Sequence, residues 1–263
     1  SYEFNDILKA YKSLNLKKND TIYITGDLSY LGFFKPIKNL LDAHYKVLKK
    51  ILGKGGTICF PTHSFSLVKS KKIFSVKDTQ SETGVFTEYL RKKKDSIRQV
   101  HPFSSMSSIG KNAKFICGNN SKHAHGIETP FEKLIKLKAK IISIGIKPRF
   151  TCTQIHHAET VMNVPYRYTK EFQHKIKLKN GKIINDKFYL FVLYEYLRKL
   201  PRDKNKKIFF IFEKSNKVKK INCGKSYVYS YSINKFHENA INLMKKNTYV
   251  WMLKEPKKKI WNK

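Results

Sequence analysis

The segment from Thr151 to Glu159 carries the richest group of side chains able to do chemistry in this 263-residue chain. If the segment opens a helix, His156 and Glu159 stand three residues apart and project from one face. A carboxylate beside an imidazole raises the basicity of the ring and fixes its tautomer, as a general base near neutral pH requires. The competing interpretation is a partly buried histidine in a capped helix.

The chain is strongly basic, with 54 Lys and Arg against 19 Asp and Glu and a formal net charge of +35. Its 41% hydrophobic and 13% aromatic residues exclude a disordered polybasic chain and predict a packed core. The charge favours polyanionic small molecules and transient association with anionic membranes, and it equally serves to keep a protein in solution. No RRM, KH, zinc-finger or helix-turn-helix signature accompanies the lysines, so no specific nucleic-acid partner is expected.

The cysteine pattern favours a reducing compartment. No C-x-x-C pair occurs, so neither a disulfide framework nor a zinc site is predicted for Cys59, Cys117, Cys152 and Cys223. His123 and His125 supply two ligands without a third, and no metal is expected. The N-terminal stretch lacks the apolar run of a secretion signal, and no apolar window approaches the ~20 residues of a membrane span. We expect a soluble, cytoplasmic protein.

Short β-rich runs alternate with longer helical ones from residue 20 onward, and Gly, Pro or Asn marks each switch. This alternation predicts the α/β class, with a central, mostly parallel sheet flanked by helices. The predicted strands are Thr21–Thr25, Thr57–Phe60, Met106–Ile109 and Ile141–Ile146, and the predicted helices are Pro36–Leu52, Gly84–Lys94, Phe131–Leu137 and Gln154–Asn163.

The C-terminal part has a β-rich pattern. The turn pair Asn180-Gly181 separates Lys175–Leu178 from Lys182–Asn185, as in a hairpin. Further strands are predicted at Phe188–Tyr194 and Ile208–Phe212, and a late helix at Ile233–Lys246. We expect residues 1–263 to form a single domain, in which 1–164 is the α/β core and 165–263 its β-rich continuation with the late helix.

Nucleotide-binding motifs find no support in the sequence. Gly224, Lys225 and Ser226 resemble the end of a P-loop, but Lys219 stands where its first glycine belongs. No G-x-G-x-x-G occurs either, so neither a nucleotide hydrolase nor a dinucleotide-binding Rossmann enzyme is indicated.

Five short motifs follow one another within residues 20–175. They are Thr57–Thr62 (TICFPT), Thr83–Arg91 (TGVFTEYLR), Arg98–Ser105 (RQVHPFSS), Gly126–Phe131 (GIETPF) and Thr153–Glu159 (TQIHHAE), and Val164–Lys170 (VPYRYTK) continues the series. Each motif alone is weakly specific. In this order and spacing they make the chain resemble the aminoglycoside N3-acetyltransferase family, in particular the antibiotic-acetyltransferase-like members found in bacterial surface-polysaccharide gene clusters.

The resemblance implies transfer of an acetyl group from acetyl-CoA, as co-substrate, to a primary amine on a sugar without a covalent enzyme intermediate. His156 would take the proton from the attacking amine, while Glu159 orients the ring or holds the aminium. The thioester oxygen becomes an oxyanion and needs donors, for which backbone amides or hydroxyls of the Thr62 loop and the Ser105 loop are candidates.

Binding roles follow for other motif residues. The residues expected to contact acetyl-CoA are Thr62, Gly84, Arg98 and Ser105. Arg98 would do so through charge-assisted hydrogen bonds. His63 and Glu128 are expected to line the acceptor pocket.

The turn after the first strand departs from the family pattern. Many family members have a His-Ser-Ser-like turn there, whereas this chain has Thr25-Gly26-Asp27-Leu28. We expect Asp27 either to recognise an amino or hydroxyl group of the acceptor or to cap the turn.

The net charge bears on the acceptor. Classical aminoglycosides are polycations that a +35 protein repels unless its pocket is acidic, whereas an anionic, nucleotide-linked amino sugar suits the field. The favoured function is therefore a biosynthetic sugar N-acetyltransferase rather than a drug-resistance enzyme. The main alternative is a basic RNA- or membrane-surface-binding protein built on a decayed transferase scaffold. A different acyl donor, or acylation of a hydroxyl, is a further alternative.

Overall fold

The structure, a computed structural model, describes residues 1–118, 121–197, 218–252 and 256. The predicted strand Ile208–Phe212 lies outside these residues. The described strands are β1 (Thr21–Gly26), β2 (Thr57–Pro61), β3 (Phe74–Ser75), β4 (Ile97–Arg98), β5 (Met106–Gly110), β6 (Lys140–Ile144), β7 (Arg167–Lys177), β8 (Ile183–Leu193), β9 (Lys219–Cys223) and β10 (Ser226–Ser232). The described α-helices are α1 (Phe4–Lys12), α2 (Leu40–Leu52), α3 (Val85–Arg91), α4 (Ala113–Cys117), α5 (Pro130–Lys136), α6 (Ile155–Val161) and α7 (Ile233–Lys246).

Seven strands form the main sheet in the order β4-β5-β2-β1-β6-β10-β9. The pairs β1–β2 and β1–β6 at its centre are parallel, and the pairs toward both edges are antiparallel. The predicted α/β class is confirmed, as are the helices that flank the sheet and the β-rich C-terminal part. The parallel pairing that β/α alternation indicates is found at the centre of the sheet, where the connections contain helices.

The helices cover both faces of the main sheet. Successive residues of a strand point to opposite faces, and β1 shows this clearly. Ile22 and Ile24 pack in one core with residues of α1, α2 and α3, whereas Tyr23 packs in the other core with residues of α4, α5, α6 and α7. β1 is therefore buried on both faces, as a central strand of an α/β sheet must be.

A smaller sheet contains β3, β7 and β8 in that order. The predicted hairpin is confirmed at Asn180-Gly181, but its arms are longer than predicted because β7 and β8 pair over eleven residues each. The separately predicted strands Lys182–Asn185 and Phe188–Tyr194 belong to one strand, since the two residues between them stay paired with β7. Phe74 and Phe188 lie in a third core cluster beneath this sheet.

All four cysteines are buried and carry free thiols. Burial raises the pKa of the Cys152 thiol well above its ordinary value, so this thiol stays protonated at neutral pH and is a poor nucleophile. Within the described ranges, no helix combines the length and the apolarity needed to cross a membrane.

Candidate active site

A cleft of about 780 Å³ opens where β1 and β6 end, which is the edge at which α/β sheets bind ligands. The chain leaves β1 at Gly26, whose φ of +110° and position against Ile144 exclude any side chain, because a Cβ would lie 2.1 Å from the Ile144 carbonyl oxygen. The walls are mostly apolar and include Phe33, Leu41 and Phe86. The cleft can therefore hold a long ligand that has few charges.

The predicted pairing of His156 with Glu159 is present in the structure. α6 begins one residue before His156, and the His156 Nδ1 lies 2.6 Å from the Glu159 Oε2. The His156 side chain is 39% exposed, whereas the Glu159 side chain is 4% exposed. The imidazole is thus accessible to a substrate while its carboxylate partner is shielded from water.

Two residues that follow α6 hold the Glu159 carboxylate. The Tyr166 hydroxyl donates to Oε1 at 3.0 Å, and the Arg167 Nε lies 2.9 Å from Oε2. Burial by itself raises the pKa of Glu159, but the hydrogen bond with His156 and the charge of Arg167 outweigh it and lower the pKa to about 2. Glu159 is therefore ionised at neutral pH and accepts hydrogen bonds without donating any.

The ionised carboxylate determines the tautomer of His156. Because Glu159 only accepts, the short contact requires the His156 Nδ1 to carry the proton, which leaves Nε2 as the nitrogen able to accept one. The Arg167 Nη2 also lies 3.3 Å from Nδ1, but a protonated Nδ1 cannot accept from it, so Arg167 acts on this ring through its charge. This geometry is compatible with proton acceptance at Nε2.

Three further histidines surround the pair. The His125 ring stacks on Phe131, and its centroid lies 5.8 Å from the centroid of the His156 ring. The His157 Nδ1 accepts a hydrogen bond from the Gly126 amide. Burial is the main cause that lowers the pKa of both His63 and His157 to about 4, and the charge of Arg98 acts in the same direction on His63. These imidazoles are neutral around the candidate base at neutral pH.

Thr62, Arg98 and Ser105 form one buried network. The hydroxyls of Thr62 and Ser105 lie 3.3 Å apart, and the Ser105 hydroxyl donates to the Thr62 carbonyl oxygen at 2.7 Å. The Arg98 guanidinium donates to the same carbonyl at 2.7 Å and to the Ser105 Oγ at 3.0 Å. The side chains of Thr62, Arg98 and Ser105, which were predicted to bind acetyl-CoA, are thus hydrogen-bonded to one another. Their network holds the loop that carries His63.

The remaining predicted site residues lie in two places. Asp27 and Gly84 both line the cleft, and Asp27 also caps a 3₁₀ turn by accepting from the Ser29 amide at 2.9 Å. Glu128 is exposed on the loop before α5 and pairs with Lys133 at 3.4 Å and with a second lysine of that helix. The structure brings His63 close to His156 and places Asp27 and Gly84 together in the cleft.

Sequence reasoning assigned no role to Tyr166, Arg167 or His125. Tyr166 and Arg167 lie in the VPYRYTK motif, where a tyrosine and an arginine just past a helix-ending proline were the available signal. His125 was considered only as half of a metal pair with His123, yet each ring stacks on an aromatic residue, His125 on Phe131 and His123 on Tyr189.

Comparisons with known proteins place the chain in a family. Residues 26–245 match the family model described as aminoglycoside 3-N-acetyltransferase. The aminoglycoside N(3)-acetyltransferase III of Salmonella sp. is 26% identical over 195 residues, 67% of each chain. That of Pseudomonas aeruginosa is 29% identical over 87 residues, which are 33% of this chain and 32% of that protein.

Solved structures share the fold over nearly the whole chain. AAC-IIIb in a binary complex with CoASH has a TM-score of 0.80 at 18% identity and covers 97% of this chain and 99% of its own. The YokD protein from Bacillus subtilis has a TM-score of 0.77 at 20% identity and covers 93% and 99%. The match to the family model spans most of the chain, and it includes the cleft and the histidine–glutamate pair. The protein is therefore a member of the aminoglycoside 3-N-acetyltransferase family, an N-acetyltransferase with acetyl-CoA as its co-substrate.

Proposed function

We propose that the protein acetylates a primary amine of an amino sugar by direct attack of the amine on acetyl-CoA, with His156 as the general base. The supporting observation is the accessible His156 imidazole, whose Nδ1 is bound to a buried, ionised Glu159. Anchored by Tyr166 and Arg167, Glu159 is the positioning residue that orients the ring. The pair needs no covalent enzyme intermediate, because the base activates the amine itself.

The reaction proceeds by addition and elimination. The amine nitrogen bonds to the thioester carbonyl carbon, and the His156 Nε2 accepts the proton that the nitrogen loses. The tetrahedral intermediate then breaks its carbon–sulfur bond, and the thiolate leaving group takes a proton from Nε2, which restores the neutral ring. We assign the stabilisation of the oxyanion to the adjoining loops that carry Thr62 and Ser105, whose hydroxyls lie 3.3 Å apart.

We assign the binding site of acetyl-CoA to the cleft at the carboxyl ends of β1 and β6. Its volume of about 780 Å³ and apolar walls suit a pantetheine arm, which is long, flexible and uncharged. Gly84 has no atom within 4 Å of the position that a Cβ would take, so the backbone there lies open to a ligand. Glu82 lines the cleft, and its amide bonds to the His63 carbonyl oxygen, so this wall of the cleft leads toward the histidines.

Blocking the cleft tests this assignment. Val85 is 74% exposed on the cleft wall, so Val85→Trp adds bulk to the cleft without disturbing a core. We expect calorimetric titration to show acetyl-CoA binding weakened by about tenfold or more. The matched control is Ile183→Trp, a 53% exposed position at the start of β8, which should leave affinity unchanged. Equal affinity for acetyl-CoA in both variants would contradict the assignment of acetyl-CoA to this cleft. No binding of acetyl-CoA to the unaltered protein would favour the RNA- or membrane-binding alternative.

We further propose that the acceptor is anionic, for example a nucleotide-linked amino sugar destined for a surface polysaccharide. The charged group that contacts both His156 and Glu159 is the cation Arg167. Two carboxylates on adjoining loops are already engaged, Glu82 with Ser66 and Glu128 with lysines of α5. The carboxylates of Glu82 and Glu128 are therefore less available to the ammonium groups of a polycationic aminoglycoside.

Competing acceptors decide between an anionic and a cationic substrate. The named relatives are aminoglycoside N(3)-acetyltransferases, so gentamicin is the reference amine. We expect kcat/KM for UDP-linked amino sugars to exceed that for gentamicin, with a larger advantage at low ionic strength, where screening of the net charge is weakest. A preference for gentamicin would overturn the anionic acceptor while leaving acetyl transfer intact.

The domain organisation also stays a proposal. We propose that residues 1–263 form one acetyltransferase-like domain, and the pairing of β10 with β6 supports this because it places C-terminal strands in the main sheet. A cytoplasmic location and transient association with anionic membranes stay predictions from the cysteines and the net charge.

A further inference from the structure

A second cavity, of about 560 Å³, lies beside the C-terminal end of α3. We call it the basic groove. Five lysines from three separate segments line it, namely Lys77, Lys92, Lys93, Lys94 and Lys179, and the acidic residue among its lining residues is Asp78. Two arginines complete its positive lining. Cations from separate segments that converge on one concave surface focus the potential at that point more strongly than scattered surface lysines do.

The two arginines are buried, and they differ in their partners. Arg91 is 9% exposed and forms an ion pair with Glu88 at 2.7 Å. Arg98 is 4% exposed, and its hydrogen bonds go to neutral acceptors, the carbonyl oxygens of Thr62 and Thr79 and the Ser105 hydroxyl. Burial of a cation without a bonded anion is costly. In agreement, burial and the charge of Arg91 lower the pKa of Arg98 to about 9.

The lysine-rich end of the groove is remote from the acetyl-transfer site. β7 begins at Arg167, which pairs with Glu159, and it ends at Lys177, two residues before Lys179. Ten residue steps at about 3.3 Å each separate Arg167 from Lys177 by about 33 Å. A sugar bound at His156 does not span that distance, so it does not contact the lysine-rich end of the groove.

We propose that the basic groove binds a di- or triphosphate group, with the lysines contacting the phosphate oxygens and Arg98 supplying a buried positive charge. Compact polyphosphates fit the groove because they concentrate several negative charges in a volume well below its own. Lysine is a common phosphate ligand and acts as a point charge. Such a ligand would also provide the anion that Arg98 lacks among its hydrogen-bond acceptors.

Calorimetric titration of the full chain with sodium triphosphate, pyrophosphate and UDP tests the proposal at about 100 mM salt. The groove variant is Lys92→Gln/Lys94→Gln. The matched control is Lys245→Gln/Lys246→Gln, which removes the same charge from the last turn of α7. We expect the triphosphate Kd to rise about tenfold or more in the groove variant and to stay within about twofold in the control. An equal Kd for pyrophosphate and UDP would mean that the groove recognises the phosphates alone. A lower Kd for UDP would mean that it also contacts the base. Both results support phosphate binding in the groove.

Three results would overturn the proposal. The first is an absence of binding to the unaltered protein at millimolar triphosphate. The second is an equal loss of affinity in the groove and control variants, which would assign binding to the general +35 charge, as for a nonspecific polyanion such as RNA. The third is a tenfold higher KM for acetyl-CoA in the groove variant with normal thermal stability, which would make the groove part of the donor site.

Discussion

Replacing His156 with alanine is expected to lower kcat for acetyl transfer by about 10²–10⁴-fold while the Kd for acetyl-CoA stays within about twofold. The reason is the division of roles in the structure. The His156 Nε2 is the nitrogen able to take a proton, since Glu159 holds the opposite nitrogen, whereas the proposed donor cleft is lined by other residues. Steady-state kinetics and calorimetric titration of the same preparations measure the two quantities.

A matched variant separates this effect from a general loss of a histidine. His123 is exposed, and its ring stacks on Tyr189 at a centroid distance of 4.7 Å. His123→Ala should therefore retain nearly full kcat. The pH dependence of kcat gives a further readout, because the limb that reports the base should disappear in His156→Ala and persist in His123→Ala. Near-normal kcat in His156→Ala at unchanged thermal stability would reject the general-base role.

The second large effect is an early loss of stability in acid. Burial lowers the pKa of most histidines in the folded protein, and among them it lowers the pKa to about 3 for His44 and His101 and to about 4 for His63 and His157. An unfolded histidine has a pKa of about 6.5. Below that pH the unfolded chain binds protons that the folded chain excludes, so the stability contributed by these neutral rings is fully present above pH 6.5 and is lost as the pH falls toward 4.

The size of the effect follows from linkage. Each such histidine lowers the free energy of unfolding by about 1.4 kcal/mol per pH unit in this window, and four together by about 5 kcal/mol per unit. Since a domain is typically stable by about 5–15 kcal/mol, the protein should lose a large part of its stability as the pH falls from 6.5 toward 4. The ionised carboxylates of Glu88 and Glu159, whose pKa values are lowered to about 2, add a further loss only below about pH 4.5.

Urea unfolding at pH 7.5, 6.5 and 5.5 measures this dependence. His44→Gln removes one titrating ring, which lies 2.7 Å from the Tyr11 hydroxyl, and should make the slope shallower by about one proton. A free energy of unfolding that stays constant from pH 7.5 to pH 5.5 would contradict the assignment of neutral buried histidines.

The sequence predicted the local part of the candidate site. His156 and Glu159 are three residues apart, so their contact depends only on the helix that both occupy, and the helical pattern was visible. Tyr166 and Arg167 reach Glu159 from beyond Pro165, in the turn before β7 and in the first residue of that strand. No local periodicity specifies such a contact, which depends on how the chain turns after α6.

Parts of the fold that were not predicted have different physical causes. β7 has few buried residues and lacks the alternating hydrophobic pattern of a strand with one buried face, so only its end beside the Asn180-Gly181 turn was detectable. β9 begins with two lysines, which are depleted in strands, so its sequence does not indicate a strand. The burial of Thr62, Arg98 and Ser105 was also hidden, because each residue type is compatible with a ligand contact and with an internal network.

The anchoring of Glu159 by Tyr166 and Arg167 has a consequence for protein engineering. The base-bearing helix and the start of the long hairpin cannot be exchanged independently between family members, since a transplanted hairpin lacking this tyrosine and arginine would leave a buried carboxylate unneutralised. Chimeras that aim to change the acceptor should therefore place their junctions after Arg167, so that the helix and its two supporting side chains are inherited together.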